Sequence, residues 1–250
     1  MTLPPRIKDW FSLPVIVIAG GLAAVLCLSL YPKADLAVSG LFFDSLAGNF
    51  PARMAWPFDM LHEGVQTGSR VIGVIFALGL VVSLLPRHRW LRSMGTWRVW
   101  AFLLVSLLLG PGLVANVALK DQWGRARPVQ VEEFGGTAQF TPALLPSAQC
   151  DTNCSFVAGD PAFGFWLVAF AFVASPLRAR RLFWMGMLAG FGLGLMRVAM
   201  GAHFASDALA AGVVIPITVA LTYRIFFGQR LFEERGRLFA RGPSQPVLVA

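Results

Sequence analysis

The residues able to do chemistry in this 250-residue chain gather in two short runs. The first reads Arg197-Val198-Ala199-Met200-Gly201-Ala202-His203-Phe204-Ala205-Ser206-Asp207. Gly201 can end one helix, and a turn then brings His203 to the start of the next. His203 and Asp207 stand four apart, so on a helix they share a face, and the carboxylate can accept from one imidazole nitrogen while the other meets a substrate. A base held by an orienting acid is the arrangement of a nucleophile site. The second run reads Lys120-Asp121-Gln122-Trp123-Gly124-Arg125-Ala126-Arg127-Pro128. Lys120 and Arg127 are nearly two helical turns apart, so one face can carry both, and Pro128 is expected to end that helix at Arg127 and leave its guanidinium free to swing. A point charge beside a planar fork suits a phosphoryl group.

Both runs sit at the ends of apolar segments, where an ionisable group is costly: roughly 2.5–3.5 kcal/mol at a bilayer centre, less near the interface. The chain is 56% hydrophobic, well above a soluble domain, and several stretches approach the roughly 20 apolar residues that a membrane helix needs. Spans are expected at about 13–31, 71–85, 99–119, 161–174, 182–200 and 207–227. The expected fold class is therefore all-α: a six-helix transmembrane bundle forming one domain over residues 1–250. Arg6 and Lys8 ahead of the first span, with no small-residue cleavage site after Leu30, read as an uncleaved anchor.

Six spans put both termini on one side. That side collects Arg6 and Lys8, then Arg87, Arg89, Arg92 and Arg98, then Arg178, Arg180 and Arg181, then the arginines from Arg224 to Arg241. These are fourteen of the 21 basic residues, and the positive-inside rule makes the side cytoplasmic. Both runs of chemistry then face the periplasm of a bacterial inner membrane. The sorting accounts for the net charge of +8, and no nucleic-acid partner is expected. Cys150 and Cys154 fall together on the oxidising outer side and are expected to form a disulfide around Asp151, Thr152 and Asn153. Two cysteines without nearby histidines make an incomplete zinc site; no metal or other cofactor is expected. Cys27 lies inside the first span and reads as packing.

Lys-x6-Arg-Pro followed by Arg-x5-His-x3-Asp, both at outer span ends of a six-helix chain, resembles the type 2 phosphatidic acid phosphatase superfamily of lipid phosphatases. The resemblance covers nearly the whole chain and rests on two motifs with matching spacing, order and membrane side. It implies a metal-independent phosphatase in which His203 attacks phosphorus to form a phosphohistidine and Asp207 orients it. It further implies that Lys120, Arg127 and Arg197 bind the phosphate oxygens, and that the partners are a phosphorylated membrane lipid and the bilayer itself.

The family's middle motif, Pro-Ser-Gly-His, corresponds here to Val157-Ala158-Gly159-Asp160, in which only the glycine is kept. Ala158 lacks the hydroxyl that helps bind phosphate, although the backbone N–H groups around Gly159 at a helix start can still receive an anion. Asp160 replaces the histidine that protonates the leaving alcohol. It is expected to serve as the acid, to cap the helix ahead of Pro161, or both. Three readings stay open: an active lipid phosphatase, a site crippled at Ala158 that still binds lipid phosphates, and a phosphotransferase that passes the group from His203 to a second lipid. The long outer loop and the Asn-Cys-Ser-Phe run ahead of Gly159 look most similar to lipid A phosphatase relatives.

The outer connection from Pro32 to about Ser69 carries Leu41, Phe42, Phe43, Phe50, Trp56, Phe58 and Met60 and reads as an interfacial helix, either a lid over the site or packing on the bundle. His62 and Glu63 in it are expected to face water, and neither His62 nor His88 reads as catalytic. Trp123 and Trp166 are expected to anchor or pack.

Overall fold

Apolar runs bounded by Pro, Gly and charge give helices almost throughout. The computed structural model describes residues 13–85 and 97–240, with the backbone alone described at 13, 176–177 and 230–240. Arg6, Lys8, Arg87, His88, Arg89, Arg92 and Arg241, on which part of the orientation reading rests, lie outside the described residues. The helices are α1 (Leu13–Leu30), α2 (Pro32–Gly40), α3 (Trp56–Leu84), α4 (Trp97–Leu107), a π-helical continuation of α4 (Leu108–Lys120), α5 (Gly159–Trp166), α6 (Ala169–Val173), α7 (Pro176–Ala199) and α8 (Ala205–Ala240). Extended pairing among the described residues is limited to isolated bridges, Asp44 with Asn49 and Val131 with Ala138.

Among the described residues four helices are long and apolar enough to cross a membrane: Trp56–Leu84, Trp97–Lys120, Arg178–Ala199 and Ala205–Gln229. A fifth is added if α1 and α2, bent by 97° against each other at Tyr31, count as one span. The expected fourth span corresponds to Gly159–Val173, which is shorter. Its residues Ala162, Phe165, Trp166, Val168, Ala169 and Ala171 are fully buried, so protein surrounds it and it need not match the hydrocarbon thickness. Packing around it is close: a Cβ on Gly164 would stand 2.7 Å from Gly190 Cα on α7. Backbone approach over small residues is how membrane helices gain contact without a hydrophobic driving force.

Two expectations about the elements change. α3 begins at Trp56, four turns before the expected start near Val71, so much of the outer connection is helix and not loop. The helix ahead of Lys120 also stops at Lys120 and does not run on to Arg127. Pro111 inside that helix has no N–H to give, and the chain widens into π turns there, with Asn116 Nδ2 bonded 2.7 Å from Pro111 O. Cys27, expected to pack, is exposed on α1. Trp166 packs fully buried with its indole N–H on Ser106 Oγ at 3.0 Å, and Trp123 donates to Ala143 O at 2.7 Å. In the outer connection the Phe43 ring packs tilted against Phe50 and Phe134, centroids 5.2 and 5.1 Å apart, while Leu41 is exposed.

Candidate active site

One end of the bundle gathers the C-termini of the π-helical segment and α7 and the N-termini of α3, α5 and α8. His203 sits in the turn between α7 and α8. Gly201 makes that turn with φ +60, and a Cβ there would press into the Phe50 ring at 2.4 Å, so no larger residue fits. The N–H groups of Ala202 and His203 both return to Arg197 O, at 3.0 and 3.3 Å, which fixes the imidazole relative to the last turn of α7.

The imidazole is buried, and its Nδ1 lies 2.7 Å from Ser155 O. A carbonyl only accepts, so Nδ1 carries the proton and the lone pair is on Nε2. Asp207 Oδ2 stands 3.8 Å from the same Nδ1, an ion-pair distance and not a hydrogen bond. The orienter of the ring is thus a backbone carbonyl, with Asp207 close behind it. Burial first, then the positive charges of Arg197 and Arg127, hold the His203 pKa down to about 4 against the opposing pull of Asp207, so the ring is neutral at ordinary pH.

Asp207 is itself held by three donors. Its Oδ2 accepts from Ser155 Oγ at 2.5 Å and from Phe204 N at 2.9 Å, while Arg125 Nη1 donates to Oδ1. Arg125 is completely buried and donates further to Ser206 Oγ at 2.8 Å, Asp35 Oδ2 at 2.9 Å and Thr141 O at 2.8 Å, with its guanidinium 4.3 Å from the Phe204 ring centroid. Asp35, on α2, closes the network by accepting from Ser206 N at 3.1 Å and from Ser206 Oγ. Two carboxylates and one guanidinium, all buried, form a rigid mount beneath the imidazole.

The cations ring the other side. Arg197, 6% exposed at the end of α7, turns its Nε toward Asp160 Oδ2 at 3.5 Å without hydrogen-bond geometry, and its Nη1 lies 3.8 Å from Met200 Sδ. Arg127 lies in extended backbone after the turn at Gly124, and its Nε and Nη2 grip Asn153 O at 3.2 and 2.7 Å. Burial, then the neighbouring charges of Arg197 and Arg53, lower its pKa from the usual arginine value. Lys120 and Arg127 therefore come together through a loop, not along one helical face; the Lys120 ammonium feels Arg127, Arg197 and Asp160 and lies 3.7 Å from where a Cβ on Gly159 would stand. Cys150 and Cys154 are joined, S–S 2.19 Å, and clasp the loop that presents Asn153 to Arg127.

α5 starts at Gly159, with fully buried Ala158 as its N-cap and the Ala158 N–H 3.4 Å from Asp207 O. The third position is Pro161, which has no N–H, so the first turn has one donor fewer for a missing cap side chain to satisfy. Asp160 does not cap. Its Oδ1 accepts from Gln66 Nε2 at 2.9 Å and its Oδ2 meets His62 Nδ1 at 2.6 Å, both from α3. His62 accordingly does not simply face water: it is 30% exposed and tied to a nearly buried carboxylate. The extension of α3 outward from Val71 is what puts it there.

Sequence spacing brought forward His203, Asp207, Arg197, Lys120, Arg127 and Asp160, which the structure gathers at this end. It missed Arg125, Asp35, Ser155, Ser206, His62 and Gln66, whose partners lie far along the chain. Only Arg125 carried a signal, as a charge inside the Lys120–Arg127 run.

A neutral buried imidazole with Arg197 and Arg127 bearing on it, at the end of a bundle of apolar helices, is an arrangement able to receive an anion such as a phosphoryl group. Residues 99–231 match the PAP2 superfamily, and the chain belongs to that superfamily. It is a relative of bacterial lipid A phosphatases. The lipid A 4'-phosphatase of Francisella tularensis subsp. novicida (strain U112) is 36% identical over 206 residues, covering 80% of this chain and 90% of that protein. The lipid A 4'-phosphatase of Rhizobium etli is 33% identical over 210 residues, 77% of this chain and 80% of that protein; that of Rhizobium leguminosarum is 32% identical over 211 residues, 77% and 88%. No solved structure matches the chain significantly.

Proposed function

We propose that this protein is a lipid phosphatase of the bacterial inner membrane that hydrolyses the 4'-phosphate of lipid A through a phosphohistidine. The observation that carries the reading is His203: its Nδ1 is bonded to Ser155 O, its Nε2 lone pair is left for phosphorus, and the charges of Arg197 and Arg127 both bear on it. The substrate comes from the relatives, each named for lipid A 4'-phosphatase activity and each matched over at least 80% of its length.

In the first half-reaction His203 Nε2 attacks phosphorus and the bond from phosphorus to the lipid oxygen breaks. Lys120, Arg127 and Arg197 hold the non-bridging oxygens, with the amides at Gly159 adding their dipoles. The phosphorylated imidazole becomes cationic; its Nδ1–H stays on Ser155 O and Asp207 offsets the charge from 3.8 Å. Water then takes the phosphoryl group and frees the ring. The departing lipid oxygen needs a proton, and Asp160 stands at the position from which the family supplies it. Six membrane passes with both termini in the cytoplasm would set this end toward the periplasm and leave the acyl chains in the outer leaflet.

The test is phosphate release by detergent-purified protein from lipid A, undecaprenyl pyrophosphate, phosphatidylglycerol phosphate and phosphatidic acid, with His203→Ala as blank. Release from lipid A, lost in His203→Ala and leaving a product that lacks the 4'-phosphate, is expected. Release from another of the four and none from lipid A would overturn the substrate, and release undiminished in His203→Ala would overturn the mechanism.

A further inference from the structure

The middle motif leaves a chemical gap. A sugar or glycerol alkoxide is a poor leaving group, so the step that breaks its bond to phosphorus needs a proton donor, and the carboxylate of Asp160 is already engaged as an acceptor. Gln66 Nε2 donates to Oδ1 at 2.9 Å, and Oδ2 meets His62 Nδ1 at 2.6 Å with Arg197 Nε 3.5 Å away. A proton placed on Asp160 would displace one of these donors. Those two donors come from one face of α3, His62 and Gln66 standing four residues apart, and each takes one oxygen of the same side chain. This is a built arrangement, and it orients a histidine that is part-exposed, beside the Asp160 that Arg197 also approaches, while that carboxylate is 2% exposed.

We propose that His62 is the general acid and base of this enzyme, with Asp160 as its positioning residue, so that the proton-transfer histidine is supplied by α3 and not by the start of α5. The inference rests on the phosphohistidine reading above. In the first half-reaction His62 enters as imidazolium, Nδ1–H on Asp160 and Nε2–H toward the leaving oxygen. His203 Nε2 bonds to phosphorus, the electron pair of the breaking bond stays on the lipid oxygen, and that oxygen takes the Nε2 proton. In the second half-reaction neutral His62 removes a proton from water as its oxygen attacks phosphorus. The bond from phosphorus to His203 breaks with its electron pair returning to the ring. Inorganic phosphate leaves, and both histidines regain their starting states. The Asp160 carboxylate stays ionised throughout and stabilises the imidazolium.

The experiment uses the full chain in detergent and compares lipid A with p-nitrophenyl phosphate, whose nitrophenolate leaves without a proton. In His62→Ala, release from lipid A is expected to fall by about 10²-fold more than release from the nitrophenyl ester, the usual worth of a general acid. Asp160→Asn is expected to show the same bias more weakly, which a merely structural loss would not. Added imidazole is expected to restore lipid A release by His62→Ala by about 10-fold or more, a reading that needs no second ester. Equal losses on both esters without an imidazole response overturn the role of His62. Release retained in His203→Ala would instead sink the phosphohistidine reading beneath it, so the two failures are told apart.

Discussion

Two arginines two positions apart in the same loop are expected to fail in opposite ways when removed. Arg125 is fully buried and bridges Asp35 and Asp207, with further bonds to Ser206 Oγ and Thr141 O and a ring contact with Phe204. Arg125→Ala leaves two buried carboxylates without their shared cation, and breaking such a buried pair costs about 3–5 kcal/mol. In a chain of this size each kcal/mol shifts the melting temperature by roughly 2–4 °C, so a drop on the order of 10 °C is expected. Arg127→Ala removes the same charge, but its fork is only half-buried and meets a single carbonyl, Asn153 O, so a shift within about 2 °C is expected, with lipid A turnover down by about 10²-fold from a lost transition-state contact. Arg125→Lys should fall between, because one ammonium cannot span both carboxylates and the Thr141 carbonyl. The assay is thermal unfolding by intrinsic fluorescence at one scan rate and one detergent, beside phosphate release from the same preparations. Equal melting shifts for the two alanine variants would refute the view that Asp35, Arg125 and Asp207 form a desolvated mount.

Three further outcomes follow. With the His203 pKa near 4, the lone pair on Nε2 is present above that pH and lost as the pH falls through it. The acid limb of kcat/KM, corrected for the substrate's own second ionisation, should therefore lie near 4, and a limb at the unperturbed histidine value of about 6.5 would count against it. Cys150→Ser with Cys154→Ser, or reductant on the native protein, frees the loop that holds Asn153 O against Arg127 and should raise KM by about 5-fold, the worth of one hydrogen bond of about 1 kcal/mol, with kcat nearly constant. An unchanged KM would mean that Arg127 does not need the clasp. Ala158→Ser should alter turnover by less than about 3-fold, since the first turn of α5 already lacks the Pro161 N–H and its site ligands are charged side chains; a gain of tenfold or more would mean that Ala158 impairs the site.

The residues that spacing exposed are those whose partners lie within one turn or one loop. Arg197, His203 and Asp207 straddle a single helix-to-helix turn, so their separation in sequence nearly equals their separation in space. The long apolar runs were legible for a similar reason, since hydrocarbon sets a length that each run must meet on its own, and four of them are long enough to do so among the described residues. The run at Gly159–Val173 shows where that logic weakens: a segment enclosed by other helices is relieved of the length requirement. The reach of Lys120 toward Arg127 was misread because Gly124, with φ +66, and the halt of the helix at Lys120 are backbone events, and Pro128 drew attention to the wrong end.

What spacing could not give is the pairing of distant charges, and here that pairing changes the chemistry. Asp160 alone, in a motif where a histidine is expected, looks like a weakened acid. His62 alone, on an outer connection, looks like a solvated side chain. Each residue is unremarkable until α3 is seen to start at Trp56 and to run alongside α5, which brings two side chains separated by 98 positions to 2.6 Å. The substitution at Asp160 then reads as one half of an exchange: the imidazole moves to the neighbouring helix and a carboxylate takes its former place and orients it. The same holds beneath His203, where Asp35 on α2 reaches Arg125 and Ser206 across the bundle. A site assembled by exchange between helices keeps its cations and nucleophile in recognisable local runs, because they must bear on one phosphorus atom, while its proton-transfer group is free to come from any helix whose end reaches the same opening.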